Sequence, residues 1–130
     1  KALLSNKIII KPDINVQEEL TQADLFIVPL RTCVGTSLSP NVIVEAISTG
    51  TPLVTTSFPE IDELLDNQNN GITIDVYALK ESANRIADLA LSPCNLKAMS
   101  DHQLDYFQKN LRLKSFVENY ITALKEAPPL

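Results

Sequence analysis

The chain has no tryptophan, one histidine, one methionine, two cysteines and three glycines among its 130 residues. Each scarcity excludes something. The glycines, Gly35, Gly50 and Gly71, do not fall in a G-x-G-x-x-G turn, which argues against dinucleotide oxidoreduction. His102, Cys33 and Cys94 cannot assemble the closely spaced four-ligand set of a structural zinc site, and no metal is expected. The two thiols are either a disulfide or two idle cysteines. Their low number points to a reducing, cytoplasmic compartment. No apolar run approaches the ~20 residues of a membrane span; the longest, at 25–30 and 42–46, are short. Cations are also in deficit. Eleven Lys plus Arg stand against sixteen Asp plus Glu, for a net charge of −5. That balance argues against nucleic-acid binding, which clustered cations drive. The opening Lys1-Ala2-Leu3-Leu4-Ser5 runs into Asn6-Lys7, so it is not a signal peptide. A chain that begins at Lys1 without Met reads as a piece of a longer polypeptide.

What is present is an ordinary globular balance, 45% hydrophobic and 21% charged, at about one domain's length. Strand and helix signals alternate along it. The run Lys7-Ile8-Ile9-Ile10, closed by Lys11-Pro12-Asp13, predicts a buried strand over 7–10. Asn15 and Glu18 have capping-box spacing at the start of a short helix. Strands are expected near 25–29, 52–56 and 71–75. Their continuous apolarity suggests burial on both faces, the habit of a parallel sheet. Ser39-Pro40 starts a helix that runs to Thr49, with Val42, Ile43, Ala46 and Ile47 inward and Gly50 as its stop. Pro59 opens a short acidic helix to about Leu65, followed by the turn sequence Asp66-Asn67-Gln68-Asn69-Asn70. Beyond Asp75 the pattern is helical. Leu79, Ala83, Ile86, Ala87 and Ala90 mark one face; Leu96, Met99, Gln103 and Phe107 the next. Phe116, Val117, Tyr120, Ile121 and Leu124 mark a last helix near 114–126. The expectation is a single α/β domain over 1–130, a parallel sheet with flanking helices and right-handed crossovers.

Ligands of open α/β sheets sit beyond the carboxyl ends of the strands. The longest loop there, 30–39, empties into the helix start formed by Ser39, Pro40, Asn41 and Val42. Free N–H groups and the helix dipole make such an end suited to phosphate, and Gly35 lets a ligand approach the backbone. The same residues also fit a plain surface turn capped by Ser39. Glu45, among apolar neighbours one turn in, either faces a cleft, pairs with a cation, or lies on the solvent face.

The ordered segments Ala23-Asp24-Leu25-Phe26-Ile27-Val28-Pro29, Pro40-Asn41-Val42-Ile43-Val44-Glu45-Ala46 and Thr49-Gly50-Thr51-Pro52-Leu53-Val54-Thr55-Thr56 resemble the nucleotide-sugar-binding half of the group 1 glycosyltransferases, the retaining family 4 of the GT-B fold. The likeness continues through Asp62-Glu63 and Gly71-Ile72-Thr73-Ile74. It implies a Rossmann-like C-terminal half-domain without its first strands. A nucleotide diphosphate sugar would be the donor, no cofactor or metal would be needed, and glycan or glycoconjugate synthesis would be the setting. Glu45 falls on the second of the family's two glutamates, which usually bonds the donor ribose. The first, which contacts the transferred sugar, falls on Ser37, so no carboxylate stands at that catalytic position. The diphosphate would lie on the amides at Ser39, Asn41 and Val42, and the base near Ile10 to Asp13. Pro59-Glu60 replace a Gly-Gly turn common in the family and should stiffen that loop.

The resemblance also implies a separate N-terminal acceptor domain and a basic pair upstream of Lys1, so this piece alone is not expected to turn over. In the family the chain end crosses to the other domain, which would leave the last helix's stripe exposed and open to self-association. The alternatives are a non-catalytic α/β module that binds a nucleotide or a partner, with Glu45 and Ser37 merely structural, and a nucleotide-sugar isomerase on the same fold.

Overall fold

The computed structural model describes residues 8–32 and 41–126. Its elements follow in the order α1 (Val16–Gln22), β1 (Phe26–Val28), α2 (Asn41–Thr49), β2 (Leu53–Thr56), α3 (Pro59–Asp62), β3 (Ile72–Ile74), α4 (Leu79–Ala90), α5 (Pro93–Tyr106), a π-helical turn (Phe107–Leu111) and α6 (Leu113–Glu126). The three strands form one parallel sheet in the order β1-β2-β3. Phe26 pairs with Leu53 and Val28 with Thr55; Val54 pairs with Ile72 and Thr56 with Ile74. The α/β class with helices on both sheet faces is therefore as expected.

Alternation along β2 divides the core. Leu53 points to the face where Ile43 and Ile47 of α2 pack with Ile61 and Leu65, over Phe26 and Val28. Val54 points to the opposite face, against Leu89 of α4 and Met99 of α5, with Leu25, Ile72 and Ile86 beside them. Each such buried aliphatic side chain contributes about 1.5–3 kcal/mol. Gly50 ends α2 with φ +69°, and a Cβ there would lie 2.9 Å from Leu104 Cγ. Gly71 is held by a different constraint: its Cβ would meet the Leu53 carbonyl oxygen at 2.9 Å.

Four local expectations need correction. Residues 8–10 form no strand, and Ile8, Ile9 and Ile10 are exposed. β-branched propensity is not enough, because a strand exists only where a neighbour takes its backbone hydrogen bonds. Asn15 occupies the N-cap of α1 without bonding the helix backbone; its Nδ2 donates instead to Glu18 Oε1 at 3.0 Å. The helix from Pro59 stops at Asp62, and turns carry the chain to Asn70. On α4 the buried residues are Ser82 and Leu89, while Leu79 is 74% exposed. Ser82 can be buried because its hydroxyl donates to the Asp75 carbonyl at 2.7 Å.

The turn before β3 carries three consecutive non-glycine residues with positive φ, Asp66, Asn67 and Gln68. Side chains of α5 hold it. His102 Nε2 lies 2.7 Å from Asp66 Oδ2, and the buried Gln103 donates to the Asn70 carbonyl. Tyr106 donates to the Glu63 carbonyl at 3.3 Å. Partial burial, with Asp66 and Glu63 nearby, raises the Tyr106 phenol above its ordinary value of 10.0. Cys94 is a free, exposed thiol, and Cys33 lies outside the described residues. No helix among the described residues is long and apolar enough to cross a membrane.

Candidate functional site

Because Gly50 returns the chain from α2 directly into β2, α2 runs antiparallel to the strands. Its amino end therefore stands at the carboxyl ends of β1 and β2, where the open loops of a parallel sheet gather. Asn41 is exposed there and Val42 half-buried, and no acidic residue occupies the first turn of α2. The amides of a nine-residue helix thus face the loop region without a carboxylate to oppose an incoming anion. Gly35, Ser37 and Ser39, expected at this place, lie outside the described residues.

Glu45 sits one turn further on the outer face, opposite the buried Ile43, Ala46 and Ile47. It is exposed, and its carboxylate has neither a hydrogen bond nor an ion pair among the described residues. Its main-chain carbonyl accepts the Ser48 and Thr49 hydroxyls, at 2.7 and 3.1 Å. Of the three readings of Glu45, pairing with a cation does not occur among the described residues. Its exposure opposite the buried face fits the solvent-face reading, and no cavity among the described residues includes it. Ile10 is 88% exposed and belongs to neither core cluster, so the structure does not join it to α2 as part of a pocket.

One residue at this place escaped the sequence reading. Thr55 on β2 is fully buried, and its hydroxyl has no hydrogen-bond partner among the described residues. In the sheet register it stands beside Val28 and Thr73, on the face that α2 covers, toward the amino end of that helix. A buried hydroxyl without a partner costs ~1–3 kcal/mol, so its retention there calls for an explanation. The only signal in the sequence is that two threonines close an otherwise apolar strand.

Two cavities also open at the carboxyl edge, both toward α4. One, of about 340 Å³, is lined by Ile27, Pro29, Arg31, Ile74, Leu79 and Ile86, among others. The other, of about 360 Å³, is more polar and includes Ser57, Asp75, Glu81 and Arg85. Arg85 is fixed by bonds to the Thr73 carbonyl and Gln68 Oε1, at 2.8 and 2.9 Å. Neither cavity includes Asn41, Val42 or Glu45. Arg31 is exposed just beyond β1 and makes no ion pair among the described residues, which leaves one free cation at the edge where α2 begins.

Comparison with known proteins gives one match. A family model described as glycosyl transferases group 1 matches residues 1–92. No curated protein and no solved structure matches the chain.

Proposed function

The chain belongs to the group 1 glycosyltransferases, and from that premise we propose that residues 1–130 form the donor-nucleotide-binding part of a retaining enzyme of the GT-B type. The observation that carries this reading is the amino end of α2. The exposed start of α2, a first turn free of acid and an exposed carboxylate one turn along lie at the carboxyl edge of a parallel sheet. The buried, unpartnered Thr55 hydroxyl beneath the same helix supports it independently.

In this reading the amides of Ser39, Asn41 and Val42 receive the diphosphate of a nucleotide sugar, and Gly35 leaves room for its approach. Glu45 accepts hydrogen bonds from the ribose hydroxyls, and Ile10 lies against the base. The donor's anomeric C–O bond breaks through an oxocarbenium-like transition state. The electron pair stays on the departing diphosphate, where helix dipole and amides stabilise it. The acceptor hydroxyl adds to the anomeric carbon on the same face and passes its proton to the departing phosphate oxygen. The acceptor, and the catalytic groups beside it, belong to a separate N-terminal domain. The site calls for a nucleotide sugar and no metal, in a cytoplasmic enzyme of glycan or polysaccharide synthesis.

Ser37 favours a second reading. With no carboxylate where the family holds the transferred sugar, the chain is a nucleotide-binding module that does not catalyse transfer. Turnover by the chain joined to its acceptor domain separates the two.

The test is isothermal titration of the full-length protein that carries this chain, and of its Glu45→Ala variant, with uridine, guanosine and adenosine diphosphates. Loss of a charge-assisted hydrogen bond should weaken binding of the preferred nucleotide about 10- to 100-fold. The loss should vanish with a ribose-deoxygenated analogue. Equal affinity of wild type and Glu45→Ala for the ribonucleotide would refute the placement of the ribose. Binding by no nucleoside diphosphate would refute the donor site.

A further inference from the structure

Asn70-Gly71 is the one Asn-Gly step in the sequence. Such a step is chemically labile, because glycine has no Cβ to keep its backbone nitrogen away from the preceding side-chain amide. It stands where the turn over 66–70 enters β3, and the fold clamps it from several sides. Asn70 is fully buried, and its Nδ2 donates to the Leu64 carbonyl at 2.7 Å. Its backbone N–H donates to the Leu65 carbonyl at 3.1 Å. Its own carbonyl accepts Nε2 of Gln103, a fully buried side chain of α5. Gly71 lies so close to β2 that a Cβ would meet the Leu53 carbonyl oxygen at 2.9 Å. Oδ1 of Asn70 is buried and has no hydrogen-bond partner among the described residues.

We propose that Asn70-Gly71 is a site of spontaneous deamidation gated by α5, protected while Gln103 is docked on it and reactive when that contact opens. Solvent hydroxide takes the Gly71 N–H proton, and the nitrogen attacks Cγ of Asn70. The bond from that nitrogen to Cγ forms, the Cγ–Nδ2 bond breaks, and Nδ2 takes a proton from water and leaves as ammonia. Water then opens the resulting cyclic imide at either of its two carbonyls, which gives aspartate or isoaspartate. The docked state opposes each step. Attack puts negative charge on Oδ1, where the fold supplies no donor to stabilise it. The contacts with Leu64, Gln103 and Leu53 fix the chain on both sides of the reacting atoms, so ring closure waits for a local opening. Positive φ at Asp66, Asn67 and Gln68 strains the turn and favours that opening once α5 lets go. The product cannot return to the same place. Aspartate sets a carboxylate oxygen against the Leu64 carbonyl in a buried site, and isoaspartate adds a main-chain atom just before β3 pairs with β2. Deamidation therefore makes a reversible release of α5 permanent. It uses no residue of the donor site and stands or falls apart from it.

The test is peptide mapping by mass spectrometry of the full-length protein that carries this chain, incubated at mildly alkaline pH with and without denaturing urea. In urea Asn70 should convert to a mixture of aspartate and isoaspartate. In the native protein the same residue should react at least about 100-fold more slowly. Gln103→Ala should raise the native-state rate by about 10-fold. Tyr106→Phe removes the contact of α5 with the Glu63 carbonyl and leaves the buried side chains in place, so it should raise the rate by a smaller factor. It decides the question if Gln103→Ala does not fold. Equal rates in the native and the unfolded protein would overturn the proposal, as would an unfolded chain in which Asn70 stays intact. A folded variant of either kind that reacts no faster than wild type would overturn the role of α5.

Discussion

α2 and α6 are both amphipathic, yet one is built into the molecule and the other projects from it. α2 is nine residues long and buries Ile43, Ala46 and Ile47 completely. α6 is fourteen residues long and buries nothing. The difference lies in what surrounds each helix. α2 joins two adjacent strands, so the crossover that creates it also supplies its partner face. α6 follows the last strand by two helices and a π-helical turn, and no strand or helix among the described residues covers it. Periodicity therefore establishes that a helix has an apolar face, while chain topology decides whether that face is satisfied.

The comparison breaks most easily at the cores. Ile47→Ala should cost about 2–5 kcal/mol of unfolding free energy, because it leaves a cavity between α2 and the sheet. Leu124→Ala removes a similar side chain from α6. Measured by urea denaturation at low micromolar concentration, it should cost less than about 0.5 kcal/mol. Equal losses at the two positions would show that α6 is as integral as α2, and would undo the contrast.

How much of this was legible beforehand follows the same division. β1, β2 and β3 were visible as short apolar runs between turn signals, and Gly50 as the stop of α2. All of these are local properties. The inward face of α2 was legible too, since helical spacing is written in consecutive residues, while its predicted cap Ser39 and first residue Pro40 lie outside the described residues. The run at residues 8–10 misled for the opposite reason: its apolar character is local, but strand pairing is not. On α4 the register went to Ser82 because Asp75 offers its hydroxyl an acceptor, which no apolar pattern reveals. Thr55 was illegible as a site residue because being without a partner is a property of the folded surroundings alone.

A moderate effect should sharpen the account of α2. Gly50→Ala asks an L-residue to hold φ +69° and pushes a Cβ to 2.9 Å from Leu104 and 3.0 Å from Ser100 on α5. Strain and displacement together should cost about 1–3 kcal/mol by urea denaturation. α5 leads toward α6, yet this loss should be the same in Gly50→Ala alone and in a Gly50→Ala/Leu124→Ala background, because distant, unconnected sites add. Coupling above about 0.5 kcal/mol would mean that α6 is tied to the body through α5.

The smallest effect concerns the boundary between the two regions. Tyr106 ends α5 and donates to the Glu63 carbonyl, and burial followed by Asp66 and Glu63 raises its phenol above 10.0. The phenol is neutral when protonated, so a raised value means the folded chain holds that proton more tightly than the unfolded chain does. This contribution is fully present below the unfolded value. It is lost as pH climbs from about 10 through the folded value. Absorbance titration of the tyrosinates should therefore show one late phase that disappears in Tyr106→Phe. The slight fall of stability above about pH 10 should flatten in the same variant. If Tyr106 instead ionised at the ordinary value of 10.0, α5 would not be docked on the 63–70 turn. The boundary between the packed body and the uncovered helix would then lie before α5, not after it.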